Sequence, residues 1–127
     1  MPILNHPTAH AELSAAFARY EDALVNNHVD VLDELFWDSP ITVRYGAGEN
    51  LYGIAAIRAF RNARPATGLA RTLDQTVITT YGPDFGTAVT LFRRDGGSRI
   101  GRQSQTWVRF PEGWRVVAAH VSLIDAA

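Results

Sequence analysis

Between Thr8 and Asn27 the apolar side chains Leu13, Phe17, Tyr20 and Leu24 recur at spacings of four, three and four. That stripe belongs to an amphipathic helix, and Glu12, Arg19, Glu21 and Asp22 lie mostly off it. The segment "NNH" breaks the pattern. A second short helix then carries Val31, Leu32, Leu35 and Phe36, with Asp30 placed to cap it and Asp33 in its first turn, where the helix dipole favours a carboxylate. From Pro40, "PITVRYG" reads as a short strand, "GAGEN" as a turn and "LYG" as a return strand. After Gly53, Ile54, Ile57 and Phe60 share one face of a third helix, which Pro65 and Gly68 end.

Everything beyond has strand character. "ARTLDQTVITTYG", "FGTAVTLFRRDGG", "RIGRQSQTWVRF" and "WRVVAAHVSLI" are separated by turns at "GPDFG", "DGGS" and "PEG". Helices, a hairpin, a helix and then a meander of long strands predict an α+β fold in one domain spanning residues 1–127. The expected form is a cone: a strongly curved antiparallel sheet wrapped around the N-terminal helices, with one central pocket.

Composition narrows the chemistry. The 127 residues are 46% hydrophobic and 20% charged, with a net charge of −1, which suits a globular chain and offers no basic surface for nucleic acid. No apolar run approaches the ~18–20 residues of a bilayer span. The N-terminal "MPILNHPTAHAEL" lacks the cationic and apolar regions of a signal peptide, so a cytoplasmic location is expected. The absence of cysteine excludes disulfides, thiolate nucleophiles and zinc–sulfur sites. All twelve basic residues are arginines, so Schiff-base catalysis and a P-loop are excluded as well.

Several polar side chains sit where a strand or helix should be apolar. Gln103, Gln105 and Trp107 alternate along one face, where two amides and an indole are costly to bury unpaired; they face either a polar ligand or a subunit interface. His120 and Ser122 share strand parity and are expected to line the pocket, with no acid in evidence to complete a triad. Trp37, just after the second helix, joins them as a substrate-contacting candidate. His6 and His10 have the i, i+4 spacing of a metal pair but no third ligand, so no metal is expected. Tyr20 faces the core or the pocket from the first helix, and a phenol beside a cation is a better proton donor. Arg44 alternates against Ile41, Val43 and Tyr45. If that trio faces the helices, Arg44 points to water; the short strand fixes parity weakly, so the inward reading stays open.

"ALVNNHVDVLDELFWDSPITVRYGAGENLYGIAAIRAFR" and "GRQSQTWVRFPEGWRVVAAHVSLI" resemble the AtzH/HpxZ-like family of the nuclear transport factor two-like (SnoaL-like) superfamily. The resemblance covers nearly the whole chain and implies an α+β cone with a deep pocket. It further implies a cofactor-free decarboxylating amidohydrolase that converts 1,3-dicarboxyurea to allophanate in the catabolism of small nitrogenous compounds. The family's functional tyrosine falls on Tyr20 and its strand arginine on Arg44. It also implies a small anionic nitrogenous substrate, a homodimer or higher homo-oligomer, and a functional link to an amidase. A non-catalytic accessory protein that binds an anionic metabolite or an amidase is the alternative. An isomerase or dehydratase would instead need an acid–base pair in an apolar pocket.

Overall fold

The computed structural model describes residues 3–126. Helix α1 runs Pro7–Val25, α2 Val29–Leu35 and α3 Ile54–Ala63; the strands are β1 Val43–Tyr45, β2 Asn50–Tyr52, β3 Arg71–Thr80, β4 Phe85–Arg94, β5 Arg99–Phe110 and β6 Gly113–Asp125. The six strands form one curved, unclosed sheet in the order β2-β1-β6-β5-β4-β3. Every pairing is antiparallel except that of β1 with β6, which is parallel. The sheet is thus the curved, mainly antiparallel one expected, with one parallel junction. The chain reaches β1 through the helices before it builds the meander, so the last strand finds the first running alongside it.

The apolar stripe of α1 is buried as its spacing predicts: Leu13, Phe17, Tyr20 and Leu24 are all covered. They pack with Leu32, Leu35 and Phe36 from α2 and its C-cap against Ala88, Trp107, Val116 and Ala119 on the inner face of the sheet. Pro7 opens α1, where its missing N–H leaves no intrahelical bond unmade. His28, not Asp30, is the N-cap of α2; Asp30 lies in the first turn instead, and Asp33 pairs with Arg61 at 2.9 Å. Between β2 and α3, Gly53 takes φ +86, a left-handed conformation open to glycine at little cost, while its N–H bonds the Thr42 carbonyl at 2.7 Å.

Helix α3 ends at Ala63 because Arg64 precedes Pro65. The proline ring disfavours helical backbone at the residue before it, and Arg64 is extended at ψ 150. On the sheet, register fixes the faces. Gly101, Gln103 and Gln105 lie opposite Phe92, Thr90 and Ala88 on β4, and all six are buried on the inner face. Gly101 is small for a reason: a Cβ there would come within 2.1 Å of the Phe92 ring.

Candidate functional site

The inner face ends in a cluster of guanidiniums at the mouth of the cone. A chamber of about 330 Å³ is lined by Arg44, Arg64 and Arg94 together with Phe60, Leu69 and Val121. A smaller recess of about 30 Å³ continues from the same three arginines and adds Tyr20, Arg71 and Gln103. The chamber is at the lower end of the ~300–1,000 Å³ usual for small-molecule sites.

Each cation reaches the site from a different element. Arg44 pairs across β1–β6 with Ala119, whose side chain is buried on the inner face, so Arg44 points inward. Its side chain is 13% exposed and lies 5.5 Å from the Phe60 ring centre. Nη1 donates to Glu49 Oε1 at 2.9 Å, and the other Glu49 oxygen accepts from the Gly48 N–H at 3.2 Å. Arg71 opens β3 on the inner face and is 3% exposed. Its Nε and Nη2 make a bidentate pair with Glu21, Nη2 also donates to Gln103 Oε1 at 3.1 Å, and the guanidinium lies 4.3 Å over the Phe92 ring. Arg94, the last residue of β4, is exposed at the rim.

Arg64 differs from the others. Its Nε and Nη2 are buried and have no hydrogen-bond partner. Burial, followed by the like charge of Arg61, holds its guanidinium below the ordinary arginine range; the nearby Tyr20 phenol opposes this, and Arg44 and Arg94 add to it. Arg61 is lowered for the same first reason, burial, which Tyr20 and the Asp33 carboxylate partly offset. Among the described residues, Glu49 and Glu21 are the acids that pair with the four cavity-lining arginines, and Arg64 and Arg94 have no ion-pair partner. The site therefore carries two unmatched positive charges in a partly desolvated cleft. Such a cleft concentrates anions and strengthens their binding.

Tyr20 is 4% exposed and lines the recess, with its ring edge-on to Trp107 at 6.5 Å and tilted against Phe36 at 6.2 Å. Trp107 is fully buried and donates Nε1–H to Gln105 Oε1 at 3.0 Å, which leaves the Gln105 amide nitrogen without a partner. Gln103 gives its oxygen to Arg71, and its nitrogen is likewise unpartnered. The structure thus gathers Tyr20, Arg44 and Gln103 around the recess, with Gln105 and Trp107 behind them on the same inner face.

Three expected residues are elsewhere. His120 and Ser122 do share a face, but it is the outer one. His120 is exposed and packs edge-on against Tyr45 at 5.9 Å, and the Ser122 hydroxyl accepts from Arg102 Nε at 3.2 Å. The register that turns Val121 inward turns both of them out. Trp37 stacks on Phe110 at 5.1 Å, at the end of β5 remote from Gln103, and lines neither cavity. His10 Nε2 instead meets the Ile78 carbonyl at 3.0 Å, and no metal-binding group of side chains occurs among the described residues. No helix among them is long and apolar enough to cross a membrane.

A curved sheet closed by helices over a polar pocket is a cystatin-like fold, the fold also found in nuclear transport factor two-like proteins. A Pseudomonas putida protein of that class, of unknown function, superposes with a TM-score of 0.74 at 19% identity over 91% of this chain and 86% of its own. The family model AtzH-like matches residues 2–127, and the chain belongs to the AtzH-like family. A DUF3225-family protein of unknown function from Pectobacterium atrosepticum is 63% identical, with a TM-score of 0.94 over 96% of this chain and 95% of that one. A cystatin-like fold protein from Burkholderia xenovorans is 46% identical, with a TM-score of 0.95 over the full length of both. No protein of curated function matches the chain.

Proposed function

We propose that this protein is a cofactor-free decarboxylase of a small N-carboxylated urea, taking 1,3-dicarboxyurea to allophanate. The observation that carries the reading is the pair of unmatched positive charges beside a buried phenol. A substrate with two N-carboxylates brings the two negative charges that this cleft lacks. Arg44 binds one carboxylate, a role that suits a guanidinium because two parallel N–H groups match two oxygens.

Tyr20 then acts as the acid. The bond between the carboxylate carbon and nitrogen breaks and its electron pair stays on nitrogen. The phenol proton goes to that nitrogen, carbon dioxide leaves, and solvent returns a proton to the phenolate. Arg64 shares the recess with Tyr20, and its positive charge favours the negative charge that develops as the proton is transferred. Membership of the AtzH-like family supports this substrate class.

A homodimer belongs to the same reading. Val77 and Val89 pair across β3–β4 on the outer face and are 58% and 44% exposed, an apolar surface that a second copy would cover.

Incubation of the purified protein with 1,3-dicarboxyurea, following allophanate by mass spectrometry, tests the activity. Acceleration over the buffer rate is expected, and its absence rules this substrate out. Saturable binding without turnover would identify an accessory protein that holds the anion for an amidase.

A further inference from the structure

Among the described residues, every arginine lining the cleft except Arg64 and Arg94 has a carboxylate partner, and Arg64 is half-buried with two of its donor atoms fully covered. The Nε and Nη2 atoms that Arg64 leaves unpartnered are neighbours on one edge of the guanidinium. It is the same edge that Arg71 uses to grip Glu21. A carboxylate needs such an edge to bind through two parallel hydrogen bonds. An unpaired buried donor is costly, and here two lie on a cation whose surroundings include other cations. The third unpartnered donor of the recess is the amide nitrogen of Gln103. Its oxygen is engaged by Arg71, so the assignment of oxygen and nitrogen is fixed by that bond. Arg44, by contrast, already holds Glu49 through Nη1.

We propose that Arg64, with the amide of Gln103, forms a second carboxylate subsite that makes this pocket select dianions over monoanions. The inference rests on the decarboxylase reading for its biological sense. Substrate has two carboxylates and product one, so a site that needs both grips the first and releases the second. Pro65 contributes by ending α3 at Ala63 and holding Arg64 extended at the helix C-cap, where its side chain lines both cavities.

The experiment uses glutarate and butyrate as probes. Glutarate has the chain length and double charge of 1,3-dicarboxyurea, with methylenes in place of the two labile NH groups and the central carbonyl; butyrate is a single-carboxylate counterpart. Calorimetric titration of the wild type at low ionic strength is expected to show at least ~10-fold tighter binding of glutarate, the least that one additional charge-assisted contact should bring. In Arg64→Met that ratio falls to within about threefold, while butyrate binding changes little. Arg64→Lys restores charge without the fork and recovers only part of the preference. A wild type that binds both probes equally, or neither, overturns the proposal, as does an Arg64→Met variant that keeps the preference. Turnover separates the two claims. A glutarate preference that depends on Arg64 in a protein without decarboxylase activity leaves the subsite standing and removes the proposed reaction. Turnover with a preference indifferent to Arg64 does the reverse.

Discussion

Replacing Arg64 by methionine should stabilise the empty protein. The two buried donors on its guanidinium have no partner, and the cation sits among Arg61, Arg44 and Arg94. A buried unpaired polar group costs about 1–3 kcal/mol. The recess beside it, about 30 Å³, has room for a water that would relieve part of this, so the lower half of that range applies. Methionine keeps much of the apolar stem and removes the charge. The net gain is about 1–2 kcal/mol, which for a chain of 127 residues raises the melting temperature by about 4–7 °C. Differential scanning calorimetry in a buffer without carboxylates, sulfate or phosphate measures it. Adding glutarate should reverse the order. At 100 times its dissociation constant a ligand stabilises the wild type by about 2.7 kcal/mol, or about 10 °C here, and the variant by much less. A melting temperature for Arg64→Met equal to or below that of the wild type without ligand would refute the reasoning. It would mean that Arg64 already has its partners in the empty cleft.

Other perturbations probe the remaining parts of the site. Glu49→Gln removes the carboxylate that competes for Arg44, and glutarate should bind roughly 3–10-fold more tightly by calorimetry, the range expected of a partly buried ion pair. Gly101→Ala drives a methyl into the Phe92 ring that supports Arg71; it should cost about 1–3 kcal/mol in denaturant unfolding and weaken glutarate binding as well. Tyr52 has its pKa raised first by its hydrogen bond with the Tyr45 hydroxyl at 2.9 Å. A raised folded-state value means that this bond contributes stability below the ordinary phenol range and loses it as pH climbs through the higher one. A tyrosinate titration by absorbance should therefore show Tyr52 ionising late, an effect that Tyr45→Phe removes.

The fold was largely legible because its signals are periodic. The stripe from Leu13 to Leu24 and the alternation of Gln103, Gln105 and Trp107 in β5 each need only local spacing, and the structure buries the side chains they mark. Arg44 was legible only in part. Local alternation grouped it against Ile41, Val43 and Tyr45, yet Ile41 precedes the strand and is 70% exposed. Tyr45 packs on the outer face with Tyr52 and His120. A three-residue strand takes its facing from its neighbour, and the neighbour is β6, more than seventy residues on. His120 and Ser122 illustrate the limit from the other side: alternation says which residues share a face, not which face it is.

Arg64, Arg71 and Arg94 had no local signal at all. One is a helix C-cap, one opens a strand and one closes another, and only tertiary register brings them to one recess. The nearest signal was the buried pair Gln103 and Gln105, whose amides had to be satisfied by something. For the Gln103 oxygen that something is Arg71, fixed in turn by Glu21 on the facing helix.

The proposed reaction is removal of carbon dioxide from an N-carboxylated urea, with Arg44 as anchor and Tyr20 as acid. The most direct measurement is the rate of labelled carbon dioxide release from carboxyl-¹³C 1,3-dicarboxyurea, compared for wild type, Tyr20→Phe and Arg44→Gln at one substrate concentration below saturation. Release well above the buffer rate is expected for the wild type, and at least ~100-fold less from Tyr20→Phe, the lower end of what a positioned general acid supplies. A comparable loss is expected from Arg44→Gln, and a second measurement of that variant at higher substrate should partly restore the rate. Equal rates for the wild type and Tyr20→Phe would contradict the acid role, and a wild-type rate no faster than buffer would contradict the claim itself.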